Sequence, residues 1–382
     1  MTRNIKQFRE FIHSYATGGA ILIVCIIASL LLANSPLNQT LNNALHTAIG
    51  PYQTLSWIND GFMAVFFLLV GLEIKDEVLN GQLSDRRSAT LPVFAAIGGM
   101  LVPAGIYAII NHNTTTASGW GIPMATDIAF VVAIINVLKS RVPHSLQVFI
   151  KALAIVDDLG AIIVIALFYS AGLHTTYLLL ALGMFAIQMV FNNLKLKYLA
   201  AYLIPGVLMW YFVHHCGIHA TVAGVLTAMA IPHDVKANYS PLKKLIHWLE
   251  NPVNFIIVPL FALANSNINI GESLAGGNII NHLSAVILFG LFLGKPIGIT
   301  LFSWLAVKLN LSKLGKGVIW SQVWSIGQLA GIGFTMSIFI ALLSFGGDSL
   351  YGAEAKFAIL IASLLSGIGG FVYLKRVIAV KS

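Results

Sequence analysis

Charge is what this sequence has least of. Of 382 residues, 9% are charged and 58% are hydrophobic. An ordinary soluble domain carries about 25% charged residues. A water-soluble particle of this size could not clothe its surface with so few, which excludes a soluble enzyme. Intrinsic disorder, which needs low hydrophobicity, is excluded by the same balance. Cysteine is nearly absent: Cys25 lies mid-span and Cys216 is the only other. No disulfide framework is expected, only free thiols acting as small apolar residues. Heptads, low-complexity tracts and a P-loop or other nucleotide motif are lacking. So is the polar–apolar alternation over about ten positions that marks a barrel strand. Instead the apolar runs are continuous, as in Ala20 to Leu32 and Val93 to Ile110. What remains is an all-α polytopic membrane protein.

Twelve runs read as spans. They centre on Ile21–Ala33, Gly61–Leu72, Leu91–Ile110, Gly121–Leu138, Ser145–Tyr169, Tyr177–Phe191, Tyr198–Val213, Ile218–Ile231, Pro252–Ala264, Leu283–Ala306, Val318–Phe345 and Ala355–Val372. At about 20 residues per crossing, twelve spans use roughly 240 residues. The loops are then short, and the chain reads as one transmembrane domain over 1–382. Segments two, eight and nine are short, so ten or eleven spans stay open. Gly18–Ala33 is read as a first span rather than a signal peptide, because the rest is polytopic.

The formal charge is +8, which by itself would suit nucleic acid. The placement of the basic residues speaks against that partner and for a lipid bilayer. With the N-terminus in the cytoplasm and loops numbered alternately, Arg3, Lys6 and Arg9 come first. Lys75, Arg86 and Arg87 follow, then Lys139, Arg141 and Lys151, then Lys195 and Lys197. Lys236, Lys243 and Lys244, then Lys308, Lys313 and Lys316, then Lys375, Arg376 and Lys381 complete the set. Of the 22 Lys and Arg residues, only Lys356 falls on the other side and only Lys295 within a span. This bias is the positive-inside rule and places both termini in the cytoplasm. The longest loop on the other side, Asn34 to Asn59, contains Gly50-Pro51, a turn signal. A short hairpin serving an oligomer contact and a merely solvated loop are both compatible with it.

Ionisable groups at membrane depth cost about 2.5–3.5 kcal/mol each on insertion scales and mark function. Five stand out: Asp60, Asp127, Asp157, Asp158 and Lys295. Asp60 sits at the edge of segment two and reads as a helix-entry cap or, less often, a functional group. Asp127 lies in GIPMATDIAF, where Gly121, Pro123 and Thr126 weaken the helix. An aspartate there compensates the partial positive charge of a half-helix N-terminus. Such irregular backbone is tolerated at membrane depth only within protein or beside a cavity. Asp157 and Asp158, in LAIVDDLGAIIVIALFY, are ~100° apart on a helix and cannot point to one spot. Lys295, in FLGKPIGI, lies ~16 Å from the segment's end near Ala306 at 1.5 Å per residue, too deep for easy snorkelling. Asp157 and Asp127 are its candidate partners. In GQLAGIGFTMSIFI, Gly327, Gly331 and Gly333 read as close packing or as a second break. Segments four and eleven hold matching places in segments three to five and ten to twelve, which points to a transport site at two breaks.

At these residues the chain resembles the NhaA family of sodium/proton antiporters. GIPMATDIAF, LAIVDDLGAIIVIALFY, FLGKPIGI and GIGFTMSIFI carry the resemblance, supported by FFLLVGLEIK, GIHATVAGV and PLFALAN. The resemblance implies inverted-topology repeats, over approximately 91–170 and 283–373, and two broken, crossing helices (segments 4 and 11). It makes Asp158 the essential sodium-binding carboxylate and Asp157 its titrating neighbour. Asp127 and Thr126 become residues of the crossing, and Lys295 the lysine that offsets the half-helix ends and can pair with Asp157. It implies sodium or lithium expelled for more than one proton, with no cofactor, from a homodimer in a bacterial inner membrane. The dimer contact would fall within 34–59. Glu73, Glu77, His219, His247 and Glu250 fall in regions linked with pH response. There the chain departs from the family pattern, with Lys75 and Asp76 after Glu73, and Ile246 before His247.

Hard cations prefer oxygen ligands, and carboxylate, Thr126 hydroxyl and freed carbonyls supply them. Sodium and protons would then compete for one negative charge. A passive cation channel is a rival reading, which the mixed-sign core disfavours. An intramembrane aspartyl protease is another, but its Gly-x-Gly-Asp signature is absent. A metal site at His214, His215, Cys216 and His219 is a third, suggested by the i, i+4 spacing of His215 and His219.

Overall fold

The computed structural model describes residues 15–138, 141–170, 172–233, 240–269, 281–347 and 349–379. Of the basic residues placed above, Arg3, Lys6, Arg9, Lys139, Lys236 and Lys381 lie outside these. Long apolar stretches that must satisfy their own backbone in lipid become helices, and helical residues occur in each of the twelve apolar runs. In order they are α1 (Tyr15–Ala33), α2 (Asn38–His46), α3 (Thr54–Asn80), α4 (Arg86–Ile110), a 3-10 stretch Ala117–Met124, α5 (Ile128–Val137) and α6 (His144–Phe168). Then come α7 (Thr175–Asn193), α8 (Ala200–Cys216), α9 (Thr221–Ala230), α10 (Pro241–Asn265), α11 (His282–Lys308), α12 (Trp320–Ala330), α13 (Phe334–Phe345) and α14 (Leu350–Ala379).

Seven helices among the described residues are long and apolar enough to cross a membrane, or up to nine if each sharply bent pair counts as one span. The bent pairs are α1 with α2, at 111°, and α12 with α13, at 48°. α6 misses the criterion because every membrane-length stretch of it contains Lys151, Asp157 and Asp158. α8 and α9 miss it on length, with 17 and 10 residues. Large apolar side chains such as Val24, Ile109, Leu167, Leu179, Ile204 and Leu364 are exposed. On a soluble surface they would be a liability; in lipid they meet hydrocarbon. The fold is that of an all-α membrane protein.

The helices pack in two units. One draws on Met1–Asn38, Asp85–Ala161 and Asn265–Ser382. Its core joins Ala95 and Ala96 of α4, Val131 and Ile135 of α5, Leu146, Ile150 and Leu153 of α6, Ile326 and Leu329 of α12, and Leu374 of α14. α4 and α11 meet backbone to backbone. A Cβ on Gly98 would strike the carbonyl oxygen of Gly298, and one on Gly298 that of Gly98. Small residues permit this approach, and it gains packing where lipid offers no hydrophobic drive. The start of α4 is capped by Asp85, whose carboxylate accepts the Ser88 N–H and hydroxyl. These bonds hold the Asp85 carboxyl below the ordinary carboxylate range.

The second unit draws on Gln39–Ser84 and Ile162–Ala264. α3 and α9 lie close enough that a Cβ on Gly224 would meet the Ala64 carbonyl. Leu68, Leu72, Tyr202, Ala228, Leu242 and Leu245 form its main cluster. Ahead of α3 stands a two-residue-per-strand hairpin, β1 (Ala48–Ile49) and β2 (Tyr52–Gln53), in which Ala48 faces Gln53 and Ile49 faces Tyr52. Gly50 turns it at φ +66°, a left-handed conformation that glycine takes without strain. A short hairpin thus forms within the 34–59 loop, with Ala48, Ile49 and Gln53 exposed. Its edge is tied down by Trp57 Nε1, which donates to Ile49 O at 2.9 Å.

One expectation is corrected here. Asp60 is not a helix-entry cap: α3 begins at Thr54, and Asp60 lies inside a π-helical turn, Trp57–Phe62, because the polar residues before segment two are already helical. Lys356, near the start of α14, is buried, and its Nζ lies 3.5 Å from the Gly347 carbonyl oxygen, just past the end of α13. The cation is favourable there because carbonyls at a helix C-terminus carry partial negative charge.

Candidate ion site

The first unit gathers every one of the strongest sequence candidates. Asp127, Asp157, Asp158 and Lys295 are 2%, 3%, 6% and 0% exposed, so none is a solvated surface charge. Lys295 Nζ lies 2.8 Å from Asp157 Oδ2 and donates to Thr126 Oγ1 at 2.6 Å. Of the two partners open for this lysine, Asp157 is the one it meets. Thr126 passes the contact on, its hydroxyl donating to Ala330 O at 3.0 Å. The ammonium is thereby linked to the last carbonyls of α12, where partial negative charge gathers.

The backbone is unwound between the 3-10 stretch and α5, over Ala125, Thr126 and Asp127, and between α12 and α13, at Gly331–Gly333. Each gap serves the other. The Asp127 N–H donates to Ile332 O at 2.6 Å. The Asp127 carboxylate accepts the Thr335 N–H at 3.0 Å and the Thr335 hydroxyl at 2.6 Å, both on Oδ2. Ser337 Oγ adds a bond to Ile122 O at 2.7 Å. Asp127 therefore caps α13, 208 positions away. A carboxylate suits a helix N-terminus wherever it comes from.

Gly327 departs from its expected place at a break. It lies inside α12, and a Cβ there would be 2.6 Å from Pro296 Cα. It is a packing glycine, whereas Gly331 and Gly333 stand at the gap itself. α11 carries a π turn, Gly290–Gly294, directly before Lys295; such turns recur at functional sites.

The pH-response candidates all fall in the second unit. Glu73 is half-buried and near Glu250. Lys75 Nζ donates to Met229 O and Ile231 O, each at 2.6 Å, and so caps the C-terminus of α9. Glu77 Oε1 accepts the Gln82 N–H at 2.6 Å. His247 is exposed. His219 Nε2 lies 3.3 Å from Asp60 Oδ1, and its Nδ1 is 2.9 Å from Thr221 Oγ1. His214 Nδ1 is 3.9 Å from Asp60 Oδ2. The metal reading of this histidine run is not supported: among the described residues no group of three or more His, Cys, Asp or Glu is placed to hold a metal ion.

Thr335, the hydroxyl residue that follows the glycines of this stretch, was given no role by sequence reasoning; the structure sets it against Asp127. Thr335→Val removes the shorter of its two bonds to Asp127. A hydrogen bond to a charged group contributes about 1.5–3 kcal/mol, so the detergent-purified variant is expected to melt lower than wild type. Thr335→Ser, which keeps the hydroxyl, is expected to restore the midpoint. Equal melting of the Val and wild-type proteins would deny the contact that role.

Comparison with known proteins points the same way as this geometry. The family model described as Na+/H+ antiporter 1 matches residues 9–374. The chain is 53% identical over 380 residues to the Na+/H+ antiporter NhaA 2 of Flavobacterium johnsoniae, covering 97% of this chain and 93% of that one. It is 48% identical over 371 residues to the Na+/H+ antiporter NhaA of Flavobacterium psychrophilum, covering 97% and 96%. To the Na+/H+ antiporter NhaA of Tolumonas auensis it is 46% identical over 381 residues, covering 97% and 96%. The chain is a multi-pass membrane protein that belongs to the NhaA family of Na+/H+ antiporters.

Proposed function

We propose that this protein expels sodium or lithium in electrogenic exchange for more than one proton, serving sodium and pH homeostasis, with Asp158 and Asp157 as the cation-binding carboxylates. The observation that carries this reading is the buried polar chain Asp157–Lys295–Thr126–Ala330, set beside two unwound backbone stretches that satisfy each other. Buried charge is tolerated only when paired or hydrogen-bonded. A site that holds two carboxylates and one ammonium is suited to exchanging one positive charge for another.

In this mechanism sodium and protons compete for the carboxylates of α6. Lys295 occupies one oxygen of Asp157, so a sodium ion drawn to Asp157 has to displace a positive charge. The displaced ammonium can shed its proton, and Asp158 exchanges another. Two protons against one sodium ion give net charge movement. An empty, charged site reorients with difficulty through low dielectric, and a neutralised one does so more readily. Asp127 and Thr126 hold the two breaks in register. The reading includes twelve spans, with inverted repeats over approximately 91–170 and 283–373 and the two breaks crossing at the site. It places the protein in a bacterial inner membrane with both termini cytoplasmic, as the basic loops favour. It also assigns the 48–53 hairpin to a homodimer contact and the Glu73, Glu77, His219, His247 and Glu250 regions to pH response.

Purified protein in sealed liposomes tests this. A sodium or lithium gradient is expected to drive proton movement of opposite direction, faster when potassium and valinomycin dissipate the membrane potential. The half-saturating sodium concentration should rise as pH falls, because protons occupy the same carboxylates. Sodium flux without proton movement would overturn the reading.

A further inference from the structure

Pro296 follows Lys295 directly and has no N–H to give. In an α register that N–H would serve the Phe292 carbonyl, four residues back. Phe292 O instead accepts Gln328 Nε2 of α12, at 3.1 Å. Gln328 is 7% exposed, so water competes little for its amide. A carbonyl left without a donor away from water carries its full desolvation cost.

Phe292 lies within the π turn Gly290–Gly294, in which the Lys295 N–H reaches back five residues to Gly290 O. A π turn holds more residues than an α turn, and each residue turns a helix by ~100°. The turn therefore decides which way Lys295 faces. Its two glycines press against other elements. A Cβ on Gly290 would be 2.7 Å from Pro123 Cβ, and one on Gly294 would be 3.1 Å from Pro103 Cα. Close packing thus pins the turn against α4 and the 3-10 stretch, and the Gln328 amide pins it to α12.

α12 holds Lys295 a second time. Two residues after Gln328, Ala330 O accepts the Thr126 hydroxyl, which itself accepts Lys295 Nζ. The end of α12 grips both the backbone that carries Lys295 and the hydroxyl that its ammonium meets.

We infer, resting on the antiporter reading above, that Gln328 is a positioning residue for the exchange. By serving the carbonyl that Pro296 leaves without a donor, it holds the π turn and keeps the Lys295 ammonium on Asp157. Sodium drawn to Asp157 has to displace that ammonium, so the hold on α11 sets the sodium concentration at which exchange half-saturates.

The test compares wild type with Gln328→Leu, which keeps the bulk and loses the amide, and Gln328→Asn, whose amide falls one methylene short. Sodium-driven proton exchange in liposomes is expected to half-saturate at about fivefold lower sodium in both, the size of one neutral hydrogen bond, with a smaller change in maximal rate. Pro296→Ala returns an N–H to the Phe292 carbonyl; added to Gln328→Leu, it should bring half-saturation back to the wild-type value. Unchanged or higher half-saturation in the Leu and Asn variants overturns the inference, and so does a shift that Pro296→Ala leaves in place. Melting in detergent tests the same link without sodium. Gln328→Leu should lower the midpoint of wild type more than that of the double variant Asp157→Asn with Lys295→Gln, which has no ion pair left to misalign. Equal lowering in both marks a bond that only packs helices and also overturns the inference. Absence of exchange in wild-type liposomes would strike the antiporter reading instead, and the melting comparison would still decide the role of Gln328.

Discussion

Asp158→Asn is expected to abolish sodium-dependent proton movement in everted membrane vesicles while leaving the protein inserted and folded. The amide keeps the shape of the side chain and removes the negative charge for which, in the proposed mechanism, sodium and protons compete. On that mechanism the cation ligand and the proton carrier are lost in one step. Protein level in the vesicles is measured beside exchange, so that loss of activity is read apart from loss of protein. Residual exchange should therefore sit at the level of vesicles lacking the protein. Exchange at the wild-type rate would remove Asp158 from the mechanism.

The second large effect falls on stability. Lys295→Gln leaves Asp157 buried, charged and without its ammonium, and Asp157→Asn does the same to Lys295. Breaking a buried pair by removing one partner costs about 3–5 kcal/mol, because the remaining charge is uncompensated. Either single variant should melt far below wild type in detergent. The double variant Asp157→Asn with Lys295→Gln carries no buried charge at this pair and is expected to recover much of the loss. A Lys295→Gln protein as stable as wild type would mean that the pair does not hold the helices. The two predictions separate the adjacent aspartates, one by exchange and the other by melting.

How far the sequence reaches is clear from particular residues. The apolar runs were legible because lipid imposes continuous hydrophobicity on any helix it surrounds. α6 escapes a simple hydropathy criterion for the same reason that it is interesting, since Asp157, Asp158 and Lys151 interrupt it. Gly50-Pro51 marked the turn, a local signal, but the two short strands around it have no apolar alternation to announce them, and a solvated loop was the more common reading. The depth of Lys295 narrowed its partner to two aspartates, but choosing between them needed the rotation of α6, which no local pattern encodes. The capping of α13 by Asp127 was out of reach, because it joins residues 208 positions apart. Gly327 looked like Gly331 and Gly333 in sequence. What distinguishes them is Pro296 of another helix, pressed against the first and not the others.

The reciprocal bonding of the two unwound stretches has a mechanical consequence. Thr126 and Asp127 hold the end of α12 and the beginning of α13, so neither gap can straighten or shift without stranding amide and carbonyl groups of the other. The pair is a single rivet. Whatever motion exposes the carboxylates alternately to the two aqueous phases has to carry the rivet whole or turn about it.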